Sequence, residues 1–430
     1  MKTPNYTMLT FFDKKPSDTL AIDKADIHKK LIDDHFVRLK PGFGQSGIRN
    51  IYYHEPDNTL LVSHCRNNRV HLFNFSTGTL RLNDLHSKTV RKILVYKNEI
   101  ITASRDETVR VVCYHTLKQR MVLSAFNMGR CPYVAVSDKE GFIISISYDS
   151  DIKPKCKSNS VKIWSLKQGT LEGVINNTGE HLSSLRSGAC MTYDKYLYVI
   201  SDSGYLSLYL LGSFRLIKTI LLSHDLRAMC IHPSRNLILV GDIEGTVFIC
   251  SLLPTVVMFS VKCHKTDIST IRIHPDREDI VITTSFDGAI RFWKFPSFNC
   301  EAVINCDSGK IWTQTMRKDI LFAGADDGNI WFYNINDLNN CILNGKLILN
   351  EDSFVVCPID SNSFFTNDIS NFDLLQKDTG EPVTGKYAEY QVNLCNRESL
   401  LHQVFWTQDD VQEFLYPSIQ MKPQLLPPVL

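Results

Sequence analysis

The chain has 430 residues, of which 43% are hydrophobic and 10% aromatic, so it can bury a substantial core and is not globally disordered. Its net charge of +1 argues against a generic nucleic-acid binder. The 13 cysteines show neither CxxC pairs nor zinc-ligand spacing, which favours a reducing compartment over a disulfide scaffold. We therefore expect no metal and no cofactor.

The first part of the chain, residues 1–40, is predicted to form an N-terminal extension. Residues 18–36 place apolar side chains among charges, as in a short amphipathic helix that packs on the main domain or docks a partner. The segment 35–39 is predicted to be a strand, a candidate for closing a ring of sheets from the N-terminal side. Because no apolar run has the length of a signal peptide or a membrane span, we expect a cytoplasmic or nuclear protein without a transmembrane segment.

From residue 41 onward, short strands recur at a spacing of roughly 40 residues. The clearest copy, residues 263–304, contains three apolar or β-branched runs at 268–273, 280–284 and 289–295. The turn sequences HPD and FDG separate these runs. Alternating apolar residues between Pro, Asp and Gly turns are typical of antiparallel strands.

This copy resembles a blade of the WD-repeat family. The family uses a buried relay of hydrogen bonds, and the residues at its positions here are His264, Ser285, Asp287 and Trp293. The resemblance implies a structural relay that holds the strands in register, not a catalytic group. It also implies an all-β fold, a WD-repeat β-propeller of seven or eight four-stranded blades, with short helical extensions at both ends.

The other copies are less complete. We expect them at residues 48–80, 86–124, 130–175, 181–220, 224–261 and 308–349, with a weak further copy at 353–383. That last copy is either an eighth blade or an edge addition to a seven-bladed ring. The position of the relay tryptophan is occupied in the other copies by Val112, Trp164, Tyr209, Cys250 and Tyr333. We predict a propeller domain over 41–392 and a C-terminal tail, partly helical, over 393–430.

Arginines recur at two places in the aligned copies. One place directly follows the first apolar residue of the first strand, and the other lies in the turn after the second strand. The predicted ligand-binding residues are Arg49, Arg66, Arg91, Arg105, Arg130, Arg186 and Arg227. Pseudo-rotational symmetry would bring these side chains to one face of the disc, near its centre. An insertion at 148–160 carries three lysines that would extend the same basic surface, or would simply be solvated.

Several guanidinium groups on one face can bind phosphate or carboxylate bidentately. The pattern is similar to that of F-box WD-repeat receptors, which read phosphorylated peptides and also place Arg as in Val90-Arg91 and Arg105-Asp106. Residues 1–40 do not resemble an F-box, so membership of a ubiquitin ligase is not implied. The simpler alternative is that these arginines pair with neighbouring carboxylates or are solvated.

We therefore predict a non-enzymatic scaffold that binds protein partners through an acidic or phosphorylated peptide, with no specific nucleic acid as partner. The alternative is a structural subunit of a larger RNA-processing, chromatin or vesicle-coat complex, held through the disc edge and the two tails. Phosphoinositide binding at a membrane ranks lower, because the stretch 214–217 lacks the paired arginines of that branch of the family. An enzyme ranks last. The GxGxxG match at 42–47 precedes a strand and not a helix, and no metal-ligand spacing or nucleophile elbow is present.

Overall fold

The seven blades of a β-propeller account for most of the chain. The computed structural model describes residues 35–39, 46–124, 130–148, 159–176, 180–306, 308–350, 353–358, 365–366 and 372–376. Within these ranges, six sheets have four consecutive antiparallel strands each, and a seventh sheet has six. The first strand of each blade contacts the first strand of the next, and the first strand of blade 1 contacts that of blade 7, which closes the ring.

The strand bounds follow the alternation of apolar residues seen in the sequence. Blade 1 comprises β2 Ile48–His54, β3 Thr59–His64, β4 Val70–Asn74 and β5 Thr79–Asn83; blade 2 comprises β6 Val90–Tyr96, β7 Glu99–Ser104, β8 Val109–Cys113 and β9 Gln119–Leu123. Blade 3 comprises β10 Arg130–Ser137, β11 Phe142–Tyr148, β12 Ser160–Ser165 and β13 Leu171–Asn176; blade 4 comprises β14 Ala189–Tyr193, β15 Tyr196–Ile200, β16 Tyr205–Leu210 and β17 Arg215–Leu221. Blade 5 comprises β18 Leu226–His232, β19 Leu237–Asp242, β20 Thr246–Ser251 and β21 Val257–Lys262; blade 6 comprises β22 Ile268–Ile273, β23 Ile280–Ser285, β24 Ala289–Lys294 and β25 Asn299–Asn305. Blade 7 comprises β26 Ile311–Arg317, β27 Ile320–Ala325, β28 Asn329–Asn334, β29 Ile342–Asn350, β30 Ser353–Pro358 and β31 Phe365–Thr366. The helices in the described part of the chain are single 3-10 turns at Glu55–Asp57, Glu180–Leu182, Pro233–Arg235 and Leu338–Asn340.

Burial decreases from the inside of the disc to its rim. In β3, β19, β23 and β27, the second strands of their blades, every residue is buried, because a neighbouring blade covers each face. The outermost strand of blade 5, β21, is exposed at almost every position. The core therefore consists of apolar layers between successive blades.

Aromatic packing joins the last blade to the first. Phe73 of β4 lies 4.7 Å from Phe354 of β30, and Phe75 stacks on Phe322 of β27 at 5.5 Å, measured between ring centroids. Burying one such side chain stabilises a fold by roughly 1.5–3 kcal/mol. The ring is thus closed by side-chain packing between blades that are each continuous in sequence.

Polar side chains on the innermost strands also connect neighbouring blades. Asn50 accepts a hydrogen bond at its Oδ1 from the backbone N–H of Ile93, at 2.9 Å. Thr313 accepts one at Oγ1 from the N–H of Ile51, at 3.2 Å. These bonds satisfy backbone donors that face the centre of the disc, where no further strand is available.

The structure decides between the alternatives left open for both ends of the propeller. The weak copy at 353–383 does not form an eighth four-stranded blade in the described residues, because β30 and β31 extend the sheet of blade 7. The strand β1 (His35–Leu39) does not join a blade either: it pairs antiparallel with β32 (Phe372–Gln376) in a separate two-stranded sheet. The prediction that β1 closes the ring is therefore wrong, since packing of blade 7 on blade 1 closes it.

Some predictions fall on parts of the chain that are not described. The predicted helix at 18–36 lies almost entirely outside the described residues, as do the tail at 393–430 and the three lysines of the insertion at 148–160. The proposed domain boundaries, after residues 40 and 392, also fall there and stay predictions.

Candidate functional site

A β-bulge near the start of the first strand distinguishes most blades. The strand pairing shifts by one residue between Ile48 and Asn50 in blade 1, and between Val90 and Lys92 in blade 2. The same shift occurs in blades 5, 6 and 7, and a similar one in blade 3. A bulge leaves one residue unpaired and redirects its side chain. In this ring, the redirected side chains line the central cavity.

The bulge positions form a ring around the mouth of a cavity with a volume of about 1020 Å³. We call the residues at these positions, together with Arg186, which precedes the bulge-free strand β14 of blade 4, the bulge ring: Arg49, Arg91, Pro132, Arg186, Arg227, Ser269 and Trp312. One residue further along six of these first strands, and at the start of β14 in blade 4, lies a second set, which we call the inner ring: Asn50, Lys92, Tyr133, Ala189, Ala228, Thr270 and Thr313. All seven blades therefore contribute to one cavity, which is what a ring of equivalent strands requires.

The first two blades concentrate positive charge at the cavity mouth. Arg49 and Arg91 come from the bulges, and Arg105 comes from the turn that follows β7. Burial, together with the charge of Arg105, lowers the pKa of Arg49 to about 10 and that of Arg91 to about 9. Both pKa values remain above 7, so the guanidinium groups stay charged and repel one another. The cluster is therefore electrostatically unfavourable unless an anion joins it.

The guanidinium groups lack acceptors. The buried Nε atoms of Arg49, Arg91, Arg105 and Arg227 have no hydrogen-bond partner in the structure. Arg227 is the one of these four with a carboxylate nearby: its Nε lies 3.3 Å from Oδ1 of Asp267, without the geometry of a hydrogen bond. Buried polar groups without partners are rare in folded proteins and call for an explanation such as a missing ligand.

Aromatic rings line the side of the mouth formed by blades 6 and 7. The guanidinium of Arg49 lies 4.8 Å from the ring centroid of Trp312, and that of Arg227 lies 5.8 Å from Phe286. Phe286 and Trp312 are themselves 4.5 Å apart between centroids. Cation–π contacts of this kind hold the arginines in place without using their hydrogen-bond donors.

Basic side chains outnumber acidic ones in the cavity lining. Seven lining residues are Lys or Arg, whereas two are acidic, Asp202 and Asp225. Burial raises the pKa of Asp202, although the N–H of Ser187 donates a hydrogen bond to it at 2.8 Å. Because both carboxylates come from blade 4 or the loop after it, the side of blades 1 and 2 remains cationic. The cavity can therefore attract an anion, and the arginines of blades 1, 2 and 5 define where such an anion would lie.

Five of the seven predicted arginines line the cavity, and two do not. Arg66 is exposed, because Cys65 and not Arg66 takes the place that Arg105 has in blade 2. The N–H of Cys65 donates to Gly47 as the N–H of Arg105 donates to Thr89. A shift of one residue turns a side chain to the opposite side. Arg66 is therefore outside the site.

Arg130 and Arg186 also differ from the predicted alignment. In blade 3 the pairing shift runs from Arg130 to Tyr133, so the lining residue is Pro132 and Arg130 lies outside the lining. Arg186 does line the cavity, but its side chain is exposed because two additional residues separate it from the start of β14. Blade 4 therefore presents its arginine at the outer edge of the mouth.

The relay of blade 6 lies within the sheet, away from the cavity. The Nε1–H of Trp293 donates to Oγ1 of Thr283 at 2.8 Å, and that hydroxyl lies 2.7 Å from Nε2 of His264. Nδ1 of His264 lies 3.1 Å from Asp287. The bonds to Thr283 and Asp287 fit the neutral tautomer of His264 with its proton on Nδ1, and burial lowers the pKa of His264 to about 4.

Ser285 was predicted in the relay, and this assignment is wrong. Its hydroxyl donates to the carbonyl of Thr266 at 3.1 Å and accepts from the N–H of Asp287 at 3.0 Å. The imidazole ring of His264 contacts Asp287 in the turn through Nδ1 and extends into the sheet. Its Nε2 therefore reaches Thr283, which lies two residues before Ser285 on the same strand. Blade 2 repeats this arrangement, with His86 bonded to Asp106 at 2.8 Å and to Thr102 at 2.7 Å.

Sequence reasoning missed three further lining residues with side chains that can contact a ligand: Lys92, Arg272 and Trp312. Trp312 occupies the same bulge position as the arginines, so aligning the seventh copy on its first strand would have found it. Lys92 and Arg272 are charged residues within the first strands of their blades, which line the centre of the ring. A charged residue in such a strand was the sequence feature that could have indicated a lining position. Among the described residues, no cluster of three or more metal-ligating side chains occurs, and no helix is long and apolar enough to cross a membrane.

Comparison with known proteins agrees with this architecture. The family model described as "WD domain, G-beta repeat" matches residues 256–294, the strands β21 to β24 together with their turns. The chain is 22% identical over 289 residues to the pre-rRNA-processing protein crb3/ipi3 of Schizosaccharomyces pombe. That alignment covers 66% of this chain and 60% of the relative, so the chain spans less than two thirds of the relative's length.

A solved structure also matches. The crystal structure of the computationally designed Ika8 protein aligns with a TM-score of 0.54 and 17% identity, over 74% of this chain and 96% of the designed one. At this identity the likeness concerns the fold alone. The chain is thus a β-propeller of seven blades, and the match at residues 256–294 supports its assignment to the WD-repeat family.

Proposed function

We propose that this protein is a non-enzymatic interaction scaffold that binds an acidic or phosphorylated segment of a partner at the mouth of its central cavity. WD-repeat propellers generally act as non-catalytic scaffolds, which supports the first part of this proposal. The observation that carries the second part is the set of four arginines at one mouth whose buried Nε atoms make no hydrogen bond. Guanidinium groups arranged in this way bind phosphate or carboxylate through paired hydrogen bonds.

The aromatic side of the mouth adds a second element of recognition. Trp312 and Phe286 lie next to the arginines and offer an apolar surface beside the charged one. A peptide can place its anionic group on the arginines and an apolar neighbour against these rings. This combination favours a peptide over a free inorganic anion as the ligand.

The test uses a labelled peptide, Gln-Ala-pThr-Ala-Gln, and its unphosphorylated counterpart, in a fluorescence anisotropy titration of the full chain. We expect binding of the phosphorylated form alone, and a loss of more than tenfold in affinity for Arg91→Glu, because charge-assisted hydrogen bonds contribute about 1.5–3 kcal/mol each. Binding should also weaken as salt is raised.

Arg66→Glu is the matched control, since Arg66 is an exposed arginine of blade 1 outside the cavity lining. It makes the same change in net charge, so it should leave affinity within about twofold of the wild type. Equal losses for Arg66→Glu and Arg91→Glu would mean that net charge, and not this site, governs binding. No binding of the phosphorylated peptide by the wild type would refute the site.

A second candidate role rests on the similarity to the pre-rRNA-processing protein of Schizosaccharomyces pombe. We propose that this chain works in the nucleus as a subunit of an RNA-processing assembly, with the cavity holding an acidic segment of another subunit. Affinity purification of the wild type and of Arg91→Glu, with identification of bound proteins, tests this role. Recovery of pre-rRNA-processing factors by the wild type supports it, and their absence refutes it.

A further inference from the structure

Positive charge continues below the cavity mouth. Lys92 is in the inner ring, directly after Arg91 on β6, and Arg272 lies two residues below the inner ring on β22. Since a strand rises by about 3.3 Å per residue, these cations lie roughly 3–10 Å deeper than the bulge ring. The cavity therefore has a second, deeper cationic level formed by blades 2 and 6.

The amine of Lys92 lacks an anionic partner. Its Nζ lies 4.6 Å from the ring centroid of Tyr133, and no carboxylate of the described residues pairs with it. Burial, together with the charge of Arg272, lowers the pKa of Lys92 to about 7. Arg272 donates its Nε–H to the carbonyl of Gln314 at 3.0 Å, and its remaining nitrogens have no hydrogen-bond partner in the described part of the chain.

The groups that face Lys92 from other strands are uncharged at neutral pH. Cys190 of β14 is buried and Tyr133 of β10 is partly buried, and burial raises the pKa of both well above their usual range. Cys230 of β18 has its pKa raised to about 11, again by burial. Arg272 is therefore the charged neighbour of Lys92 at this level, and no group there neutralises either cation.

We infer that the ligand of this cavity carries two anionic groups, one held by the arginines of the bulge ring and a second that passes below them to Lys92 and Arg272. This inference rests on the proposed function and specifies the peptide class. The segment has a second acidic or phosphorylated side chain about two residues from the first, because that spacing spans roughly 7 Å in an extended chain. A single phosphate would leave the deeper level unpaired.

The test compares two matched peptides, Glu-Ala-pThr-Ala-Glu and Gln-Ala-pThr-Ala-Gln, by isothermal titration calorimetry with the full chain. Placing Glu on both sides covers both directions in which the peptide can enter. We expect the Glu peptide to bind about tenfold more tightly at pH 6, because a charge-assisted hydrogen bond of about 1.4 kcal/mol corresponds to that factor. The preference should shrink at pH 8, where free Lys92 has mostly lost its proton.

The variant Lys92→Met should reduce the preference for the Glu peptide to the part that Arg272 supplies, and the remaining preference should no longer change between pH 6 and pH 8. Lys118→Met is the control, since Lys118 is an exposed lysine in the β8–β9 turn of the same blade. Its preference should match that of the wild type. Thermal unfolding should show Lys92→Met to be at least as stable as the wild type, since the change removes an unpaired buried charge.

The outcomes separate this inference from the proposed function. If the wild type binds both peptides equally and Arg91→Glu abolishes binding, the arginine site stands and the deeper level is refuted. If neither peptide binds, both proposals fail. A Glu preference that is undiminished in Lys92→Met also refutes the inference, because Lys92 then has no part in holding the second anion.

Discussion

Two groups of buried polar side chains in this propeller have opposite hydrogen-bonding states. In the relay of blade 6, Trp293, Thr283, His264 and Asp287 form a continuous chain of hydrogen bonds, and Asp287 also accepts the N–H of Ala289 at 3.0 Å. At the cavity mouth, the arginines have buried donors that reach no acceptor. Polar burial with partners stabilises the blade, whereas polar burial without partners is what the proposed binding of an anion would explain.

The comparison also separates two roles that a sequence can confuse. The relay contains the residue types of a catalytic constellation, His, Asp and a hydroxyl, yet it lies inside a sheet and its donors are satisfied within the sheet. The arginines belong to no recognised constellation, and four of them have buried Nε atoms that make no hydrogen bond in the described part of the chain. Hydrogen-bond satisfaction, and not residue type, therefore distinguishes the structural cluster from the proposed binding site.

Removing the carboxylate of the relay should have the largest effect. Asp287→Ala leaves the Nδ1–H of His264 and the N–H groups of Lys265 and Ala289 without an acceptor. We expect a loss of about 3 kcal/mol in the free energy of unfolding, measured by urea denaturation. A loss below about 0.5 kcal/mol would show that the relay does not stabilise blade 6.

Acid should weaken the relay through His264. In the folded chain burial lowers the pKa of His264 to about 4, whereas in the unfolded chain this histidine has the ordinary pKa of about 6.5. As the pH falls, the unfolded chain therefore binds a proton before the folded chain does. The stability that neutral His264 contributes is complete above about pH 6.5 and is lost as pH falls toward 4. Burial opposes ionisation of Asp287, but the N–H of Lys265 and the charge of His264 outweigh it and lower that pKa to about 2. Stability from Asp287 is therefore lost below about pH 4.

The measurement for this prediction is the free energy of unfolding between pH 7 and 4.5 for the wild type and for His264→Gln. The wild type should lose roughly 1–2 kcal/mol more than the variant over this range. Parallel curves would mean that His264 is protonated in the folded state, which contradicts the neutral tautomer assigned to it.

Loss of the tryptophan donor should have a smaller effect. Trp293→Phe keeps an aromatic ring in the blade but removes the N–H that donates to Thr283, and we expect a loss of about 1 kcal/mol. Blade 2 supports a modest value, because Val112 stands at the equivalent place there and the bonds of His86 remain intact. Trp164→Phe, which removes the bond to Ser145 in blade 3, is the parallel variant and should give a similar loss.

Truncation of an arginine at the cavity mouth should have the smallest effect on the free protein. Arg91→Ala removes a guanidinium without acceptors that is repelled by Arg49 and Arg105, so the free energy of unfolding should stay constant or rise slightly. The peptide Gln-Ala-pThr-Ala-Gln should raise the melting temperature of the wild type but not that of the variant. A large destabilisation of the free variant would instead make Arg91 a structural residue.

The sequence supports the fold more firmly than the site, for a physical reason. Strands such as β3 and β23 are determined by many apolar residues, so an error at one position does not change the prediction. A site depends on single positions: Arg66 is displaced by one residue from the place that Arg105 has in blade 2, Arg130 by two from the lining residue Pro132, and Ser285 by two from the relay. The bulges that direct Arg49 and Arg91 into the cavity are backbone features without a sequence signature of their own, so the ring could be anticipated only in part.

The bulge ring gives this scaffold an economical route to new binding preferences. Each bulge residue lies outside the ladder of its sheet, so exchanging it alters the cavity mouth while leaving the pairing of every blade unchanged. Ser269 in blade 6 occupies a position equivalent to that of Arg227 in blade 5, and Ser269→Arg would extend the cationic arc toward Trp312. A propeller built in this way is a set of seven exchangeable contacts on a constant frame, and its selectivity can change one contact at a time.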